Sequence, residues 1–308
     1  MGRPVSTAAC IVTGGARGIG RAVALALARA GHPVCVNDTG VALDGTQPDP
    51  GPAQEVAAEI AAAGGRAVAV TTDGRTRAGA LDVVGTATHE FGTPPLVLVH
   101  SAGTLRDAML HKATDEDWSE VMASHLAVAI ELTRAMAVGM REARYGRITY
   151  IGGAAGLVGS VGQASYAVAN AGLFGLTRAA ALEMAGRDVC VNYVAPLAFT
   201  RMTESIPPVT PQLREYLASA PLAQPEDIGP LVTWLCSPAA AGVSGQVFGA
   251  RGAEVTVWSQ PRPQAMLVRT QGWSADRFAE ALPDIDAHLA PLESAFDLVR
   301  EPPQPVTR

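Results

Sequence analysis

The sequence predicts an α/β fold: a doubly wound parallel sheet with helices on both faces, in one large domain followed by a C-terminal extension. Two observations carry this. Short apolar and β-branched runs alternate with longer helical patterns from about Ala8 to Ala250. Strands that are apolar throughout, rather than alternating, belong to a sheet buried on both faces, and such sheets are parallel. The chain of 308 residues is also 48% hydrophobic and only 17% charged, so it can bury a sizeable core.

The elements follow in order. "AACIVTG" (8–14) reads as the first strand and "IGRAVALALARAG" (19–31) as a helix ended by Gly31. "PVCVND" (33–38) is a strand, "GPAQEVAAEIAAAGG" (51–65) a helix and "RAVAVTTD" (66–73) a strand. "AGALDVVGTATHEFG" (78–92) is a helix, and "LVLVHSAG" (96–103) is a strand that runs into a small-residue turn. The apolar period then predicts one long helix over 115–140, capped by Thr114 or Asp115. "GRITYIGG" (146–153) is a strand, the segment around Tyr166 a helix and "VCVNYVAP" (189–196) a strand. "PEDIGPLVTWLCS" (225–237) is a helix and "GQVFGA" (245–250) a last short strand. From Arg251 the proline clusters "SQPRPQ" and "EPPQPV" read as an extension wrapped on the surface, with Trp258, Met266, Leu267, Trp273 and Phe278 as apolar anchors. The division is therefore 1–250 and 251–308.

Charge and composition exclude some functions. The net charge is -6, with no basic run, which argues against a nucleic-acid or anionic-membrane partner. Cys10, Cys35, Cys190 and Cys236 form no CxxC pair and read as reduced, buried thiols. No stretch of 18 apolar residues and no signal-like N-terminus is found, so a cytoplasmic location is expected. No metal-ligand spacing stands out.

"TGGARGIG", Thr13 to Gly20, lies between the first strand and the first helix. Glycines there let backbone approach a pyrophosphate, which the helix N-terminus stabilises. Asp38 ends the second strand, where a carboxylate accepts from a ribose 2'-hydroxyl and repels a 2'-phosphate. That favours NAD(H) over NADP(H), although Arg17 in the loop is a group that could meet a phosphate. Asp73 closes the third strand and is expected near the adenine. One helix carries Tyr166 with Asn170 four residues on, a spacing that puts both on one face.

These motifs resemble the short-chain dehydrogenase/reductase family, a Rossmann-type fold, over about Ala8 to Ala250. Thr13–Gly20 matches TGxxxGxG, His100–Gly103 is similar to its NNAG turn, and Tyr166 follows the fifth strand as the family's tyrosine does. The long loop after the second strand and "LRDAMLHKATDEDWSEVMASHL" resemble hydroxyacyl-CoA dehydrogenase domains of peroxisomal multifunctional enzymes and actinobacterial relatives linked to steroid and acyl-CoA catabolism. The resemblance implies that Thr13, Gly14, Arg17, Gly18, Ile19, Gly20, Asp38, Asp73, Ala102, Gly103, Asn170 and Pro196 bind the dinucleotide. It also implies a substrate lid over 199–224 and assembly as a homodimer or homotetramer.

The resemblance further implies a catalytic Asn, Ser, Tyr and Lys, and here the chain departs from it. Tyr166 stands for the tyrosine. Asn170 occupies the lysine position, Gly153 the serine position and His125 the position of the helix asparagine, a change that resembles the multifunctional-enzyme branch. His100 replaces an asparagine that ties the sheet. The remaining His32, His89, His111 and His288 read as surface or loop residues. A positive charge 4 Å from a phenol is worth about 4 kcal/mol in a partly wet site, roughly 3 pKa units. An asparagine dipole supplies a fraction of that, so Tyr166 should stay protonated near neutral pH, able to donate a proton but poor at removing one. A missing serine hydroxyl removes a contact of a kind worth about 2.7–4 kcal/mol.

Three readings fit. The first is an oxidoreductase with a rearranged site, in which Tyr166 donates the proton during carbonyl reduction, His125 or water fills the gap, and the substrate is a small molecule of bulky apolar or acyl-thioester type. The second is a non-catalytic subunit that supports an active paralogue in a hetero-oligomer. The third is a non-redox catalyst (cyclase, dehydratase or isomerase) on the same fold.

Overall fold

In the computed structural model the described residues are 8–42, 45–200, 214, 223–268, 270, 273–281, 288–289 and 295. The strands are β1 (Cys10–Thr13), β2 (Val34–Asn37), β3 (Ala67–Val70), β4 (Val97–His100), β5 (Gly146–Ile151), β6 (Val189–Pro196), β7 (Val247–Arg251) and β8 (Glu254–Val257). They form one sheet in the order β3-β2-β1-β4-β5-β6-β7-β8. Every pairing is parallel except β7 with β8. The helices are α1 (Gly18–Arg29), α2 (Gly51–Ala62), α3 (Arg77–Phe91), α4 (Asp115–Met122), α5 (Val128–Ala143), α6 (Ala155–Val158), α7 (Ala164–Met184), α8 (Gly229–Leu235) and α9 (Ala275–Glu280).

The expected fold class is what the structure shows. Cys10, Val12, Val34 and Val36 face one core layer with Val23 and Leu27 of α1. Ile11, Cys35 and Leu98 face the other layer, with Leu132, Met136 and Met140 of α5. A strand used on both faces has to be apolar at every position, hence the unbroken runs. The strand order reverses between β1 and β4, and a crevice opens beyond their carboxyl ends at such a switch point. All four cysteines are free and buried.

Three local readings need correction. The long helix expected over 115–140 forms, over 115–143, but it is not α-helical throughout: α4 passes into a wide π turn, Ala123–Ala127, before α5 resumes. Thr114 is its cap, accepting the Asp117 amide while the Asp117 side chain accepts the Thr114 amide. His32, read as a surface residue, is buried and hydrogen-bonded through Nδ1 to the Ala8 carbonyl at 2.8 Å. The sheet also continues past Ala250. Gly252 takes φ +52 in the tight connection that turns β7 back as β8, and Trp258 then packs against the core. Of the other tail anchors, Trp273 stacks on Phe278 at 4.5 Å, while Met266 is 85% exposed. Apart from residues 199–200, 214 and 223–224, the expected lid lies outside the described residues. The stretch Asp115–Ala143 is long and apolar enough to cross a membrane on length and composition alone, but Leu132, Met136 and Met140 show that its apolar stripe faces the core.

At the opposite end of the sheet from the crevice, Arg147 is buried. It donates to the carbonyls of Gly146 (2.8 Å), Asp188 (2.8 Å) and Ser237 (3.3 Å), and its guanidinium lies 4.3 Å from the Tyr145 ring centroid. Truncation would strip a donor from the buried Gly146 carbonyl, break the ties to Asp188 and Ser237, and leave a void. Arg147→Ala is expected to lower unfolding free energy by about 3 kcal/mol. Urea denaturation checks this, and an unchanged midpoint would mean that water replaces the guanidinium without loss.

Candidate functional site

One continuous cleft crosses the carboxyl ends of β1, β2, β4, β5 and β6. Of the residues expected to bind a dinucleotide, Gly14, Arg17, Gly18, Ile19, Gly20, Asp38, Asp73, Ala102, Gly103 and Pro196 line it. Gly153, Tyr166 and His125 line it as well. Two expected residues do not, and each has a physical reason.

Thr13 is fully buried under the turn. Its hydroxyl accepts the amides of Ser101 and Ala102 and bonds His100 Nδ1 at 2.8 Å, so it is a joint between β1 and β4 rather than a wall of the cleft. Asn170, expected on the face of Tyr166, turns under the helix. Its Nδ2 donates back to the Tyr166 carbonyl at 2.9 Å, its Oδ1 lies 3.4 Å from the Tyr193 hydroxyl, and none of it is exposed. Four residues bring two side chains to neighbouring positions, but a short amide that captures a carbonyl of its own helix never leaves the helix surface.

At the first end of the cleft, the loop after β1 is closed by contact. A Cβ on Gly20 would overlap the Gly14 carbonyl, so only glycine lets α1 begin this close to the turn. Asp38 accepts the Ala16 amide on one oxygen (2.9 Å) and the Gly40 amide on the other (2.8 Å). A carboxylate has about four acceptor sites, so Asp38, which lines the cleft, can accept beyond these two amides. Arg17 donates through one nitrogen to the carbonyls of Gly40 and Val41. Asp73 is held by Arg75, whose guanidinium pairs with Glu120 through two bonds of 2.7 Å. The glycine cradle and the Asp38 carboxylate suit a dinucleotide with a free ribose hydroxyl.

At the other end, His125 projects from the π turn, a feature that recurs where a helix must aim a side chain into a site. Its Nε2 donates to the Thr104 carbonyl at 2.9 Å, which leaves Nδ1 as a bare acceptor with no hydrogen-bond partner among the described residues. The ring meets Tyr166 edge-on, with centroids 5.2 Å apart. It fits because Gly103 has no side chain: a Cβ there would overlap the imidazole. Burial lowers the His125 pKa to about 4, opposed by the Thr104 bond. Burial and then the neighbouring His125 lower that of His100 to about 3. Both rings are therefore neutral. The sequence offered no sign of the π turn, since no proline or glycine lies in 115–138 and Gly139 comes more than two turns after it. Nor did it single out Tyr193, one aromatic in a strand of small and β-branched residues.

The family model for enoyl-(acyl carrier protein) reductase matches residues 14–252. The hydroxyacyl-CoA dehydrogenase ChsB1 of Mycobacterium tuberculosis is 38% identical over 302 residues, covering 94% of this chain and 93% of that protein. The peroxisomal multifunctional enzyme type 2 of Mus musculus is 39% identical over 226 residues, 73% of this chain and 29% of that much longer protein. A crystal structure of a short chain dehydrogenase from Mycobacterium avium superposes with a TM-score of 0.80 at 36% identity, covering 94% of this chain and 98% of that one.

The two neutral imidazoles set a pH dependence. A depressed folded-state pKa means that the unfolded chain takes up protons first as pH falls below about 6.5, so stability present above that pH is lost on the way down to about 4. Summed over His100 and His125, the loss between pH 6.5 and pH 5 is expected to be about 3 kcal/mol. His125→Gln should keep about half of it. Urea midpoints across this window are the check, and a flat profile would mean that the rings are solvated.

Proposed function

The chain belongs to the short-chain dehydrogenase/reductase family of oxidoreductases, and from that membership we propose that it is an NAD(H)-dependent carbonyl reductase with a rearranged site. Its substrate would be an apolar ketone or a 3-ketoacyl thioester. One observation supports this most: Tyr166 and an imidazole with a bare nitrogen converge at one end of a cleft whose other end is a glycine cradle beside Asp38. Relatives named for acyl-CoA chemistry support the thioester class.

When bound, the nicotinamide supplies hydride. The glycine loop and Asp38 would hold the dinucleotide, with the carboxylate accepting the ribose hydroxyl. No lysine stands at position 170, whose Asn170 amide is turned under the helix, and in this reading the Tyr166 hydroxyl gives its proton to the carbonyl oxygen. That direction suits reduction better than alcohol oxidation. The His125 ring, fixed by its bond to the Thr104 carbonyl, packs edge-on against Tyr166 and would help hold the phenol toward the substrate oxygen. We further propose assembly as a dimer or tetramer through α5 and α7, whose Val138 and Leu182 are 62% and 75% exposed. The buried free thiols suit a cytoplasmic setting.

A second reading, a supporting subunit for an active paralogue, draws on the same displacement of Asn170 together with Gly153. NADH oxidation measured with a panel of apolar ketones and 3-ketoacyl-CoA thioesters separates the two. Turnover is expected, and Tyr166→Phe should reduce it by about 10²–10⁴-fold while NADH still binds. No turnover alone, regained only with a co-purified partner dehydrogenase, would favour the subunit reading.

Calorimetric titration is expected to show NADH binding more tightly than NADPH, and Asp38→Asn should weaken NADH binding about tenfold or more. Equal or tighter NADPH binding by the unaltered protein would refute the Asp38 assignment.

A further inference from the structure

Tyr193 on β6 is fully buried, and its hydroxyl reaches the turn after β5. It accepts the Gly153 amide at 2.8 Å and donates to the Gly153 carbonyl at 2.9 Å. A hydroxyl has one proton, so the Asn170 oxygen at 3.4 Å is a neighbour rather than the recipient. The packing leaves no room for side chains on two consecutive residues. A Cβ on Gly152 would overlap the Tyr193 hydroxyl and come 2.6 Å from Asn170 Oδ1, and one on Gly153 would come 2.5 Å from the Tyr166 hydroxyl. Tyr193 thus grips the backbone of Gly153, and the Tyr166 phenol lies where the side chain of residue 153 would be.

We propose that Tyr193 is the positioning residue for Tyr166, and that Tyr193, Asn170 and the Gly152–Gly153 pair form one interdependent unit with no room for a lysine at 170. A side chain two heavy atoms longer than asparagine, leaving α7 in the same direction, runs into the Tyr193 hydroxyl. Burial first, and the nearby Tyr166 second, push the Tyr193 phenol well above its ordinary pKa. It therefore remains an O–H able to accept and donate at once. Gly152 and Asn170 are then steric partners of Tyr193, and Gly153 is one of Tyr166; a lysine at 170 without removal of Tyr193 meets a packed wall. The consequence for turnover rests on the reading of Tyr166 as proton donor, whereas the geometry does not.

Protein labelled with ¹³C at tyrosine Cζ reports each of the five tyrosines separately, and Tyr166→Phe identifies the Tyr166 line. Tyr193→Phe removes the hydroxyl and keeps the ring. The Tyr166 line is expected to shift and its titration midpoint to move by about one pH unit, the scale of one hydrogen bond. A variant that melts lower with the Tyr166 line and midpoint unchanged would reduce Tyr193 to a structural strut and overturn the proposal. Asn170→Lys is expected to give insoluble or unfolded protein alone and to fold when combined with Tyr193→Ala. Equal folding of the single and double variants would overturn the steric claim. These signals need no turnover, so an absence of NADH oxidation would sink the proposed reaction and leave this result standing.

Discussion

The site depends on one hydroxyl. Thr13 ends β1, and its Oγ1 gathers two amides of the turn after β4 along with the His100 ring. Because it already accepts two N–H groups, its own proton goes to His100 Nδ1, which fixes the tautomer of that ring. This joint sets the distance between the glycine loop and the Ala102–Gly103 turn. A Cβ on Gly14 would come 2.7 Å from the Ala102 backbone, so the two turns touch. Gly103, placed by that contact, leaves the space that His125 fills, and His125 meets Tyr166. The glycine-loop end and the Tyr166 end of the cleft are thus set by a single cross-strand anchor.

Neutral imidazoles shape what this site can do. An imidazolium beside Tyr166 would lower the phenol pKa as a lysine would. Burial keeps His125 neutral, so what this ring and its supports bring to the site is dipolar: the Thr104 carbonyl that orients His125 and the Gly153 peptides held by Tyr193. Such groups can orient a polar atom without supplying charge. That is a weaker electrostatic field than a cation gives but one with little reorganisation cost.

Much of this was legible in the sequence, for reasons that differ by element. The strands read correctly because burial on both faces forces an unbroken apolar composition on β1, β2 and β4. The turn between β1 and α1 was visible because contact demands Gly14 and Gly20 and a positive φ favours glycine at 18, which spacing records. Asn170 misled because helical spacing fixes where a side chain starts and not where it ends; an amide with a carbonyl in reach bonds it. The π turn is invisible because one extra residue per turn leaves apolar periodicity almost intact. Tyr193 hid in a strand where any large apolar residue fits the pattern, and only its hydroxyl contacts distinguish it. β8 alternates "EVTV" in a proline-rich setting that drew attention to the prolines.

The β7–β8 turn has a kinetic meaning. Each parallel pairing in the sheet joins strands separated by at least one crossover, so its contacts form between residues far apart in sequence and must wait for long loops to close. β7 and β8 are joined by two residues and pair antiparallel. A hairpin of this kind forms in roughly 1–10 μs, far ahead of the neighbouring pairings. The edge that leaves the ribosome late is therefore the one that organises fastest, and it offers a ready-made two-stranded template on which β6 can dock as the rest of the sheet is completed.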